Sequence, residues 1–216
     1  MPRASTKPAR LRLVGGKSAS QATARRFGPT GDLEDDQLVA LVRQSDALAF
    51  EVLYRRHASF ALNLAVRIQG SARDVEDIVH DAFLRAHHRV HELRDGASFR
   101  SWLGAIVVRL VRTRLRRRRM LGALGLAGGD PVDLDAVASA EAGPEVRAQL
   151  AQIYALVQTL SPDDRIAWTL RHIERHRLEA VAELAGCSLA TAKRRIVRAQ
   201  RFLSTHFVAP FTEPAP

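Results

Sequence analysis

The stretch LEAVAELAGCSLATAKRRIVRAQ, residues 178–200, decides the fold. Leu178, Val181, Ala182 and Ala185 recur at the spacing of one helix face. Gly186 then closes the segment, because a glycine takes a positive φ in a turn without strain. Ser188 can cap a second helix, whose inner face is Leu189, Ala192 and Ile196. Ala182 supplies the small residue that lets two helices cross closely. The outer face of the second helix holds Thr191, Arg194, Arg195 and Arg198, flanked by Lys193 and Arg201. An ordinary helical hairpin with a solvated basic face explains part of this pattern. Small-residue crossing, capped turn and basic outer face together predict a DNA-binding helix-turn-helix. Its second helix would enter the major groove, where Arg and Lys donate to guanine or to phosphate.

Upstream, Ser161-Pro162-Asp163-Asp164 reads as a helix start, with Ser at the N-cap, Pro at N1 and an acid at N3. Before it, Val146, Leu150, Ile153, Val157 and Leu160 line one helical face. Residues 120–144 break the pattern with five glycines, two prolines and small residues, the composition of a flexible linker. From Asp32 to Arg119 helical spacing holds throughout. Leu38, Leu41 and Val42, then Phe50, Leu53 and Tyr54, then Phe60, Leu64 and Ile68 form stripes. Ser71-Ala72-Arg73-Asp74 has the form of a capping box, and Val75, Ile78, Val79, Ala82, Phe83 and Ala86 follow on one face. After a turn at Asp95-Gly96, Ser98 is placed to cap a helix with Phe99, Trp102, Leu103, Ile106 and Leu110 inward. No segment alternates with period two. The expected fold is all-α: two small helical domains, 32–119 and 145–207, joined by an acidic linker, 120–144. A disordered basic arm, 1–31, precedes them and a tail, 208–216, follows.

Charge follows this division. The chain of 216 residues carries a net +10. By segment it runs +7 over 1–30, −4 over 31–98, +8 over 99–119, −5 over 120–146 and +4 over 147–216. Such a surplus points to a polyanionic partner. On the helix beginning near Ser71, Asp74, Glu76, Asp77, His80 and Asp81 crowd the side away from the apolar stripe. Helix-dipole stabilisation explains the first acids but not Asp81. The face reads either as solvated or as a docking surface for a basic protein. On the next helix Arg109, Arg112, Arg116 and Arg119 share one face, with Arg114, Arg117 and Arg118 around it. Seven arginines in eleven residues repel one another, and a polyanion relieves that. Phe99 and Trp102 stand just before them, among Arg94, Asp95, Ser98 and Arg100. Aromatics there either pack the core or stack on unpaired bases.

Several classes are excluded. No apolar run reaches the roughly 18–20 residues of a bilayer span, so membrane insertion is not expected. The first 30 residues lack the apolar core of a secretory signal; their acid-free composition resembles a transit peptide but lacks its amphipathic period. A single cysteine, Cys187, allows neither an internal disulfide nor a cysteine-based zinc finger. Following the turn glycine, Cys187 reads as a small core residue, with a redox role as the alternative. His80, His87, His88 and His91 cluster, but no HExxH frame and no completing carboxylate make a metal site. The glycines at 122–129 lack the Lys-Ser/Thr of a P-loop. The chain is not expected to be an enzyme or to carry a cofactor.

These residues resemble a known family. AFEVLYRRH (49–57), DVEDIVHDAFLRA (74–86), FRSWLGAIVVRLVRTRLRRRR (99–119) and the run from Leu160 to Leu203 follow the order of a bacterial RNA polymerase sigma factor of the extracytoplasmic-function type. The resemblance covers residues 32–207. It implies a core-polymerase-binding helix with Asp74, Glu76, Asp77, His80, Asp81 and Phe83. It implies a −10 element surface with Arg94, Asp95, Ser98, Phe99, Arg100, Trp102, Arg109, Arg112 and Arg116. It implies a −35 reader with Ser188, Thr191, Lys193, Arg194, Arg195 and Arg198. The partners implied are core RNA polymerase and promoter DNA, duplex at −35 and melted at −10; an anti-sigma factor is common among relatives. The implied location is the cytoplasm, on the nucleoid. The sequence departs from the family at His80, where Gln is usual, at Arg109 and Thr113, where Asn and Asp are usual, and at Ala192, where Val is usual. A free-standing helix-turn-helix regulator is the alternative, and it leaves the acidic helix without a role.

Overall fold

The computed structural model describes residues 31–126, 132, 133, 135 and 143–207. All of the expected basic arm except Gly31, much of the expected linker and the tail 208–216 lie outside the described residues. Among the described residues there are helices and turns and no strand.

The first unit holds α1 (Asp35–Arg43), α2 (Ala47–Gln69), α3 (Val75–Arg89) and α4 (Phe99–Ala123). Glu34 and Gln37 close α1 with a reciprocal capping box. Asp46 caps α2 by accepting from the backbone N–H of Leu48 at 2.9 Å and Ala49 at 3.1 Å. Gly70, at φ 67°, ends α2 in the left-handed conformation. The stripes meet as their spacing requires: Leu38, Leu53, Leu64, Ile68, Phe99 and Leu103 are buried. Each such side chain contributes about 1.5–3 kcal/mol when fully removed from water. Burial on α4 extends beyond the expected face, through Val107, Val108 and Val111 to Leu115.

Two local starts differ from expectation. The Ser71–Asp74 segment is not a capping box. Ser71 is buried and takes a hydrogen bond from Gln69 Nε2 at 3.3 Å. Asp74 precedes α3 in the left-handed region, φ 57°, which an Asp tolerates, and its side chain caps nothing. Ser98 does not cap α4 either. Its hydroxyl donates to Asp95 Oδ2 at 2.7 Å, within a 3-10 turn, Gly96–Ser98, that lies against α1. A Cβ at Gly96 would stand 2.6 Å from the Cα of Asp36, so only glycine permits that approach.

The second unit holds α5 (Pro144–Thr159), α6 (Pro162–Trp168), α7 (Leu178–Leu184) and α8 (Leu189–His206). Ser161 caps α6 by accepting from the N–H of Asp164, with Pro162 in the first turn, as its sequence requires. α6 runs on into a π-helical segment, Thr169–Ile173, which periodicity does not reveal. Trp168 Nε1 donates to Gln200 of α8 at 2.8 Å, and Val157, Trp168, Ala199 and Leu203 pack together. Tyr154 is buried beneath Gly70, and burial pushes its phenol up to about 12. The predicted stripes are looser here: Val146 and Leu189 are exposed.

The units touch along a seam. α4 packs on α6 and α7, and Val181, Ala182, Leu184, Ala185 and Ala192 join the apolar core of the first unit. Gly104 of α4 lies under Leu184, where a Cβ would come within 3.2 Å of Cδ2.

Candidate nucleic-acid and partner interfaces

The acidic face of α3 presents Glu76, Asp77, His80 and Asp81 to solvent, with Leu84 beside them. None of the three acids has an ion pair among the described residues. Two residues assigned to this face do not lie on it. Phe83 is 2% exposed and packs against the rings of Phe50 and Tyr54, so it shapes α3 from within. Asp74 turns toward α4 and pairs with Arg114 and Arg118. Burial opposes its charge, but the hydrogen bond and field of Arg114, with Arg118, hold its carboxyl below the usual range.

The seven arginines of α4 from Arg109 onward divide into three groups. Arg114 and Arg118 belong to Asp74. Arg112 and Arg116 reach across the seam to Asp163 of α6: Arg112 Nε is 3.0 Å from Oδ1, and Arg116 Nη2 donates to Oδ2 at 2.8 Å. Arg112 also donates to the carbonyl of Ala185. Arg109, Arg117 and Arg119 are exposed and have no ion pair among the described residues. Thr113 donates to the carbonyl of Arg109 at 3.0 Å, spending its hydroxyl on the helix itself.

At the start of α4, Phe99 is wholly buried against His57 and is core rather than a stacking platform. Trp102 is half-buried, with a free part of its surface. Arg100 is exposed, its guanidinium 4.1 Å above the ring of Phe60. Arg94 is exposed, whereas Asp95 and Ser98 hold the turn together.

The helix-turn-helix is α7, a turn and α8. Gly186 takes φ 57° and Ser188 accepts from the N–H of Thr191 at 3.2 Å, as the sequence indicates. Ala192 is fully buried. Lys193 and Arg194 are exposed, and Arg194 donates to Thr191 Oγ1 at 3.2 Å. Arg195 Nη2 lies 3.3 Å from Asp163, and Arg198 forms a two-pronged pair with the buried Asp164, at 2.8 and 2.6 Å. Val197 is exposed on the same helix.

Sequence reasoning did not assign three features. Asp163 and Asp164 read only as first-turn acids, and their pairing with distant arginines has no local signature. Arg165 is likewise silent in the sequence. An apolar cavity of about 360 Å³ between Ile153, Leu156, Trp168, Leu203 and Phe207 arises only where α5, α6 and α8 converge.

The described helices form two units, one acidic and arginine-ended, the other a helix-turn-helix. The sigma-70 region 2 profile matches residues 53–120 and the sigma-70 region 4 profile matches residues 150–203. The RNA polymerase sigma-H factor of Pseudomonas aeruginosa is 30% identical over 184 residues, which cover 77% of this chain and 90% of that one. The chain belongs to the extracytoplasmic-function sigma factors of the sigma-70 family. This sigma factor is also 28% identical to the sigma-E factor of Escherichia coli over 175 residues, 78% of this chain and 91% of the relative. CnrH, solved with the cytosolic domain of CnrY, is 27% identical, with a TM-score of 0.54 over 79% of this chain and 95% of CnrH. The fold also matches RpoE of Bartonella quintana, solved with the anti-sigma factor NepR: TM-score 0.56, 21% identity, 72% of this chain and 94% of that one. Sigma factors are transcription initiation factors and not enzymes, so this sigma factor acts in transcription initiation. Among the described residues of this sigma factor, no helix is long and apolar enough to cross a membrane. Among the described residues, no group of three or more His, Cys, Asp or Glu is placed to hold a metal ion.

Proposed function

We propose that this sigma factor binds core RNA polymerase through the exposed acids of α3 and selects promoters with two separate basic surfaces. Glu76, Asp77 and Asp81, with His80, form the polymerase-facing patch. A basic coiled-coil on the largest polymerase subunit is the complementary surface that the family resemblance implies. Asp74 and Phe83 act behind this patch, the first by pairing with α4 and the second by packing.

The −10 surface is Arg94, Arg100, Trp102 and the outer arginines of α4. Trp102 offers a ring face to an unstacked base, and the arginines neutralise phosphate. Contact with an extruded base would draw the duplex open without nucleotide hydrolysis. The −35 surface is α8, where Thr191, Lys193, Arg194 and Arg198 face the major groove and Ser188 presents the helix start. A linker between two weak surfaces raises the effective concentration of the second contact once the first has formed. Anti-sigma regulation is consistent with the NepR-bound relative.

The observation that carries this reading is the separation of charge within one sigma-family fold: among the described residues, Glu76, Asp77 and Asp81 on α3 have no ion pair, and neither have Arg109, Arg117 and Arg119 on α4 or Lys193 and Arg194 on α8. Run-off transcription with purified core enzyme and genomic fragments tests it. Discrete start sites that depend on this chain are expected. Their absence on every template, with duplex binding retained, would make the chain a simple regulator instead.

A further inference from the structure

The second unit carries an apolar groove that its own described helices leave open. Ile153 and Leu156 of α5, Trp168 of α6, and Leu203, Ser204 and Phe207 at the end of α8 line a cavity of about 360 Å³. The polar residues on its rim are engaged elsewhere. Gln200 accepts the Trp168 Nε1–H at 2.8 Å, and Ser204 donates to the carbonyl of Arg201 at 3.0 Å. The groove therefore offers an occupant apolar surface and little else. An apolar cavity of about 150 Å³ holds a benzene ring, so this one has room for a phenyl group and a smaller neighbour.

The chain leads to the opening. Phe207 closes α8, its N–H bonded to the carbonyl of Leu203 at 2.8 Å, and takes extended backbone at φ −80° and ψ 112°. Phe207 itself lines the groove. The sequence goes on as Val208-Ala209-Pro210-Phe211. Proline has no N–H to continue a helix, and it favours extended backbone at the residue before it. In an extended chain alternate side chains share a side, so Ala209 and Phe211 would follow Phe207. Four residues at about 3.3 Å each give Phe211 a reach of roughly 13 Å from Phe207. The lining of α8 runs from Gln200 to Phe207, about 10 Å of helix, and that reach spans it.

We propose that the groove is the seat of the chain's own tail: Phe211 inserts between α5 and α8 and fills the space against Trp168, with Ala209 and Pro210 over the rim. Two features favour this occupant over a second copy. A tether of four residues keeps Phe211 at a local concentration on the order of millimolar, and two copies that each carry a net charge of +10 repel. An apolar segment of another protein must displace Phe211 to enter. Its apparent affinity is reduced to the fraction of time that the groove stands empty.

The test uses the full chain with its indole nitrogens labelled. The two tryptophans, Trp102 and Trp168, give two indole resonances, assigned with Trp102→Phe. Trp168 reports on the groove, and Trp102, in the other unit, is the internal control. Phe211→Ala should move the Trp168 resonance and leave that of Trp102 in place, with helicity unchanged. Phe211→Leu, which keeps a large apolar side chain, should move it less. The apolar dye anilinonaphthalene sulfonate probes an open groove. A groove filled about nine-tenths of the time weakens the apparent affinity of the dye about tenfold. Phe211→Ala should therefore tighten dye binding about tenfold, and Phe211→Leu by much less. An unmoved Trp168 resonance and unchanged dye affinity in Phe211→Ala would overturn the proposal, and so would equal shifts at both tryptophans. A Trp168 resonance that moves on dilution of the native chain would seat the tail of a second copy in the groove, and would overturn the contact within one chain.

Discussion

Arg165 of α6 donates through Nε to the carbonyl of Ile68 at 2.7 Å, 97 positions earlier in the chain. A second nitrogen of the same guanidinium serves Gln69. The last carbonyls of a helix have no partner within it and carry its negative dipole end. Here an arginine from the other unit satisfies two of them, with 5% of its surface exposed. The contact joins the units through backbone, whereas Asp163 joins them through side chains.

Replacing Arg165 by Gln leaves those carbonyls short of donors in a buried place. Stability should fall by about 1–3 kcal/mol, read by urea denaturation. Arg165→Lys should recover little, since a point charge lacks the fork. Equal stability of the native chain and Arg165→Gln would show that water replaces the arginine without loss.

Gly96 and Gly186 are glycines for different reasons. An alanine at Gly186 meets nothing within 4 Å, so only the positive φ opposes it. That costs about 1–2 kcal/mol. An alanine at Gly96 would strike the α1 backbone at Asp36, and the turn before α4 would have to move. Gly96→Ala should lower the thermal midpoint more than Gly186→Ala does. A reversed order would disprove the steric account.

His57 is buried on α2, with Nε2 2.7 Å from Asp35 Oδ2. Burial lowers its affinity for a proton more than Asp35 raises it, so the ring sits below the usual imidazole value of 6.5. The unfolded chain therefore binds the proton first as pH falls. This group's contribution is full above 6.5 and declines as pH drops below it, toward the folded value. His57→Gln should flatten that part of a stability-against-pH curve. An unchanged slope would assign the acid sensitivity to other groups.

Arg109 and Arg112 are one turn apart, but only Arg112 is bound to the seam. Arg109→Ala should weaken duplex binding at all sequences and reduce the salt slope by about one. Arg112→Ala removes a phosphate contact and also a seam contact, so its net loss of affinity should be smaller. Equal losses in anisotropy titrations would mean that the seam does not compete with DNA.

Asp77 is exposed near the start of α3, and its side chain takes no part in packing. Asp77→Lys should abolish pull-down of core polymerase with helicity unchanged. Undiminished assembly would remove the docking assignment from this face.

The sequence by itself determined the helices, their capped ends at Ser161 and Ser188, the turn at Gly186 and the all-α class. These depend on residues within a few positions of one another, and a repeat of 3.6 carries them. It also marked Asp77 and Arg109 as exposed charges, because an unbroken run of one sign leaves no local partner. Periodicity put Phe83 and Phe99 on inward faces, where both are buried, while the family resemblance also grouped them with the interfaces, since an aromatic on a helix face looks alike whether a neighbouring helix or a ligand covers it. The Ser71–Asp74 segment read as a cap, when the buried Ser71 answers Gln69 and Asp74 answers Arg114 and Arg118. Only the tertiary structure decided which charges were already taken. Asp163 meets Arg112, Arg116 and Arg195, and Arg165 meets Ile68, through space across dozens of residues. Electrostatic pairing is set by distance after folding, and sequence separation carries no trace of it.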